Sequence, residues 1–153
     1  MPARTLGQEG APGKDGLPKA TSAQPWKIFY GARSVDSLSY PHSKVVHAAR
    51  RQLETDHWQI YAVDSARGVV ISKWRALGHP LLALFMGKVR MRCAVHIQPL
   101  GPNRSLITFR ADIASHGDLT ANPLFGEAKR AYSEAAQEYL IKVRQYLNDN
   151  RRG

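Results

Sequence analysis

Val89-Arg-Met-Arg-Cys-Ala-Val-His-Ile97, the turn Leu100-Gly-Pro-Asn-Arg-Ser105 and the return Leu106-Ile-Thr-Phe-Arg-Ala-Asp-Ile113 decide the fold. In the first segment Val89, Met91, Cys93, Val95 and Ile97 share one face, opposite Arg90, Arg92, Ala94, His96 and Gln98. That alternation is the period of a half-buried strand. In the return, Ile107, Phe109, Ala111 and Ile113 oppose Thr108, Arg110 and Asp112. Gly, Pro and Asn between them supply the backbone angles a turn needs. One register suits both strands. Ile97 against Ile107 sets Val95 by Phe109 and Cys93 by Ala111 on the apolar face, and Arg92 by Asp112 on the polar one. A slip of one residue would invert every side chain, so this agreement predicts a long antiparallel hairpin.

Upstream, Trp58, Ile60 and Ala62 alternate with Gln59, Tyr61 and Val63. Asp64-Ser-Ala-Arg-Gly68 turns the chain, and a second strand returns from Val69 to Trp74. Before it, Ser39-Tyr-Pro41 opens a helix in which Val46, Ala49 and Leu53 recur at helical spacing, and Thr55-Asp56 closes it. Trp26-Lys-Ile-Phe-Tyr30 reads as a short edge strand. Downstream, Asn122 and Pro123 suit a helix start, and Phe125, Ala128, Tyr132, Ala135, Tyr139, Val143 and Leu147 form one long stripe. The expected fold is α+β in two layers. An antiparallel sheet of about four to five strands carries a short helix and a long C-terminal helix on one face. No βαβ unit is present, so no Rossmann-type site is expected.

The chain has 153 residues, 43% of them apolar, enough for one domain with a core, read here as residues 26–148. Residues 1–25 read as a flexible tail. Gly7, Gly10, Gly13 and Gly16 fall in a collagen-like triplet register, but the run is too short for a triple helix. Residues 149–153 read as a frayed end. The apolar run at residues 80–87 is far short of the roughly 20 residues of a membrane span. A single cysteine excludes an internal disulfide framework. The chain starts without a basic and then apolar leader, so no signal peptide is read.

No nucleotide-binding loop, zinc-protease motif or nucleophile elbow occurs, so neither a cofactor nor catalysis is expected. The six histidines are scattered. Cys93 faces inward, while His96 falls on the other side of the same strand. The net charge of +10 is the main functional hint. Arg90, Arg92 and Arg110 share the outer face of the hairpin, with Lys73 and Arg75 near the end of the preceding strand. Such a patch suits phosphates or nucleic acid, although Asp112 would neutralise Arg92 and no aromatics are interleaved. The plainer alternative is a solvated basic face. The second hint is Leu81-Leu-Ala-Leu-Phe-Met86. It reads either as a buried crossover or as an exposed loop in which Leu82, Leu84, Phe85, Met86 and Lys88 meet a partner protein or a membrane surface.

The helix at residues 40–53, the strand ending in Asp64, the turn at Gly68 and the strand closing on Ser72-Lys-Trp74 resemble the BamC-like domains of bacterial envelope lipoproteins. The resemblance extends over residues 26–147. It implies a helix-grip domain without catalytic residues, serving as an accessory subunit of a larger, membrane-associated complex in the cell envelope. Two alternatives stand beside it. One is a nucleic-acid-binding domain using the basic face; the other is a small-ligand carrier with a pocket between helix and sheet.

Overall fold

The computed structural model describes residue 17 and residues 27–31, 33–76, 89–115 and 125–151. The elements run β1 (Lys27–Tyr30), β2 (Ser34–Leu38), α1 (His42–Thr55), β3 (Ile60–Asp64), β4 (Val69–Ser72), β5 (Arg75–Ala76), β6 (Val89–Gly101), β7 (Arg104–Ser115) and α2 (Phe125–Asp149). All seven strands join one antiparallel sheet.

They fill five rows. β1 and β2 follow one another along β7, and β4 and β5 along β6, giving the order β1/β2, β7, β6, β4/β5, β3. This explains why period-two reading found fewer strands. β2 is short and mostly polar, and β5 is two residues long, so neither displays a pattern. Between β1 and β2 the Gly31 N–H donates to the Ala111 carbonyl at 2.7 Å, an approach a Cβ would block. The β6–β7 register is the one the alternation predicts: Ile97 faces Ile107, Val95 Phe109, Cys93 Ala111 and Arg92 Asp112.

The turn between β3 and β4 closes on Gly68, whose φ of +69° suits glycine. A side chain there would also overlap the Ile97 carbonyl. Opposite it, His42 Nε2 lies 3.0 Å from the same oxygen and ties the start of α1 to β6.

Both helices cover one face of the sheet. α1 buries Val45, Val46, Ala49 and Leu53; α2 buries Ala136, Tyr139, Leu140, Val143 and Leu147. They meet Leu38, Val70, Val95, Ile97, Ile107 and Phe109 in the main core. Side chains of this size contribute about 1.5–3 kcal/mol each on full burial, which makes this core the dominant stabilising feature.

The outer face differs from its sequence reading. Arg92 and Arg110 are 1% and 4% exposed, and Asp112 is fully buried between them. Arg92 Nη2 donates to Asp112 Oδ2 at 2.8 Å, and Arg110 Nε to Oδ1 at 2.7 Å. The Trp74 ring lies against Arg92 and the Tyr30 ring against Arg110, with guanidinium-to-centroid distances of 5.2 and 4.6 Å. Beside this cluster, Leu17 packs fully buried on Val69, Ile71 and Ala94. These guanidinium groups are therefore not a solvated basic face: both bind Asp112 inside the protein, and the rings of Trp74 and Tyr30 lie against them. The tail is otherwise outside the described residues, as is the predicted Asn122-Pro123 helix start.

Candidate functional site

A half-open cleft reaches the edge of the main core. This cavity, of about 210 Å³, lies between α2 and the sheet. Its floor is Met91 and Cys93 of β6 and Phe109 of β7. Tyr139 on α2 closes one side, its ring centroid 4.8 Å from that of Phe109. The Tyr139 hydroxyl donates to the Ala49 carbonyl at 2.8 Å, so its polar end is occupied and its ring faces the space.

The far side is built where α1 ends. His57 takes a left-handed conformation, φ 66°, and the chain doubles back so that the Trp58 N–H donates to Leu53 O at 2.9 Å. This turn buries the indole at the cavity wall. Arg75 stacks on it, with its guanidinium carbon 3.6 Å from the ring centroid. Arg75 Nη1 also donates to the carbonyls of Asp56 and His57 at 3.3 and 3.4 Å. Stacking and hydrogen bonds together hold the guanidinium plane at the opening.

Three more charged groups line the opening. Lys142 Nζ lies 3.4 Å from Asp56 Oδ1 and 3.5 Å from Glu138 Oε1. The Asp56 charge and its hydrogen bond raise the Lys142 pKa, so the amine stays an ammonium ion. Burial raises the Cys93 thiol strongly, against a smaller opposing pull from Arg75. Burial also holds Tyr139 well above the usual phenol range. The interior is thus apolar and un-ionised, and charge sits at the rim.

A second groove, about 300 Å³, lies between the start of α1 and the end of α2, lined by Tyr40, His47, Tyr146 and Arg151 among others. It is a surface groove between helix ends, with exposed Ser43, Lys44, His47, Asn150 and Arg151 beside Tyr40, Tyr146 and Leu147, and it does not reach the sheet.

Of the residues singled out in the sequence, Arg75 reaches the cavity, whereas Lys73 and Arg90 are exposed outside its lining. Arg92 and Arg110 are committed to Asp112. Leu82, Leu84, Phe85, Met86 and Lys88 lie outside the described residues. Met91, Cys93, Phe109 and Tyr139 read as core, because an inward residue that borders a void has the same pattern as one that fills it. Their only distinguishing signal was a tyrosine inside an apolar helix stripe, a residue whose polar tip needs a partner.

No protein-family profile and no curated protein matches this chain. Solved structures do match. Ara h 8.0201 aligns over 81% of this chain and 100% of its own, at 12% identity and a TM-score of 0.53. The di-domain aromatase/cyclase BexL of the BE-7585A biosynthetic pathway aligns over 80% of this chain, at 8% identity and a TM-score of 0.56. The chain spans 46% of that protein.

With both the chain shares its fold, an antiparallel sheet gripped on one face by helices. At these identities the likeness is one of fold. It overturns the resemblance to envelope lipoprotein domains, and the accessory envelope subunit that it implied falls as well. The physical reason is that the matched residues, Asp64, Gly68, Ser72 and Trp74, serve a hairpin turn and strand ends, which any helix grip needs. One of the two likenesses is to an enzyme, so the fold is compatible with catalysis.

Proposed function

We propose that this protein binds a small organic molecule with an apolar body in the cavity between α2 and the sheet. The observation that carries this is the half-open cleft of about 210 Å³ at the edge of the core, with Met91, Cys93 and Phe109 at its base and Trp58, Arg75 and Lys142 at its mouth. A largely apolar cavity with a few polar groups at one end is how small-molecule sites are built. The likeness to an aromatase/cyclase, a protein that acts on organic molecules, supports the same reading over that of a scaffold subunit.

Binding is favoured over turnover by the ionisation of the lining. A thiol held protonated is a poor nucleophile, a phenol of raised pKa a poor acid, and an amine held as ammonium has no lone pair to take a proton. The test is to titrate the protein with a panel of small ring compounds while following the Met91 methyl resonance. Saturable shifts are expected. Ala135→Trp, which fills the opening from the exposed side of α2, should abolish them and leave the thermal melt cooperative. No saturable shift, or shifts indifferent to Ala135→Trp, would overturn the proposal.

A further inference from the structure

The charges at the rim are not equivalent. Lys142 is shared between Asp56 and Glu138, and Asp56 also accepts from Gln52 Nε2 at 3.1 Å. Both acids of the rim are therefore engaged. Arg75 is different. Among the described residues it has no carboxylate partner, and its hydrogen bonds run only from Nη1 to two backbone carbonyls. Among the described residues its Nε and Nη2 donate to no acceptor, and the guanidinium plane is already set by Trp58. In the sheet register Arg75 stands directly across from Met91, a floor residue. Its positive potential reaches the floor, where it opposes the rise of the Cys93 thiol.

We infer that the ligand is an organic acid, its carboxylate received by Arg75 at the rim and its apolar ring system laid over Met91, Cys93 and Phe109. The inference rests on the ligand-binding reading above and narrows it to one chemical class. A guanidinium presents two parallel donors that match a carboxylate, and one whose plane is pre-set loses little freedom on binding. A cationic ligand would find both rim acids, Asp56 and Glu138, already shared with Lys142. A neutral one would leave the free donors of Arg75 unmatched.

Calorimetric titration with 2-naphthoate and with its neutral counterpart 2-naphthamide tests this, on the wild-type chain and on Arg75→Gln, Arg75→Lys and Ala135→Trp. The acid should bind the wild type more tightly than the amide. Arg75→Gln should weaken the acid about tenfold, as for loss of one charge-assisted hydrogen bond at a partly solvated site, and leave the amide unchanged. Arg75→Lys should recover part of the loss. Equal effects of Arg75→Gln on the two probes, or none on either, would sink the acid assignment while the cavity reading stands. If Ala135→Trp spares both probes, or neither probe binds the wild type, the cavity reading itself falls. A cooperative melt for each variant confirms that it is folded.

Discussion

On the helix-covered face of the β6–β7 hairpin, Met91, Cys93 and Phe109 border a space of about 210 Å³. On the outer face of the same hairpin, Arg92, Arg110 and Asp112 are buried, and no buried side-chain polar atom among the described residues lacks a partner. The apolar face is the one with room, and the charged face is the sealed one. An alternating strand sorts residues by polarity but does not decide what covers either side. Charges can be buried when their hydrogen bonds are met, as where Asp112 accepts from both Arg92 and Arg110.

The strongest way to break this comparison is to remove the shared acid of the outer face. Asp112→Ala leaves two buried guanidinium groups without their carboxylate and should cost about 3 kcal/mol, read as a lower denaturant midpoint. Replacing all three with apolar residues of similar volume, Arg92→Met, Arg110→Met and Asp112→Leu, should cost far less than the single change. A single variant as stable as the wild type would mean that the face is wet.

A smaller effect is expected on the cavity side. Tyr139→Phe removes the bond to Ala49 O and should cost about 1–2 kcal/mol. It should also alter the alkaline limb of the stability curve. Burial raises Tyr132 from its ordinary 10 to about 12, and raises Tyr139 well above the ordinary value as well. The folded state therefore keeps phenol protons that the unfolded chain releases, so stability is full below pH 10 and falls as pH rises through about 12. Melts recorded between pH 9 and 12 should show a shallower fall for Tyr139→Phe. An identical slope in both proteins would exclude Tyr139 as a contributor.

The smallest effect sharpens the contrast in solvent. Arg144 Nη2 binds Asp36 Oδ1 and Oδ2 at 2.7 Å each, geometry as good as that of the buried cluster. Here the side chains are 48% and 30% exposed. Arg144→Ala should cost under about 1 kcal/mol, less still in high salt. A loss near that of Asp112→Ala would show that geometry outweighs burial in this protein.

Much of the architecture was legible. The hairpin register, the Gly68 turn, the end of α1 at Asp56 and the Tyr139, Val143 and Leu147 part of the α2 stripe follow from neighbours in sequence and from period, whereas Ala135 of that stripe is exposed and Ala136 and Leu140 are buried in its place. β2 and β5 were not legible, because a strand that short borrows its place from the partner it pairs with. The site was legible only as Arg75, and for a different reason than the one that places it there. Its partner Trp58 lies across the β3–β4 hairpin, and Tyr139 arrives from α2. The family resemblance failed because hairpin turns and strand ends are common to every helix grip, whereas the likeness that corrected it is one of three-dimensional arrangement.

By itself the sequence determined what each stretch would become and which side chains share a face, since alternation, helical spacing and turn chemistry act within a few residues. Only the tertiary structure decided which face is sealed and where the core stays open. Both depend on distances between elements far apart in the chain, set by how α2 lies over the sheet and by rings and charges that meet only after folding.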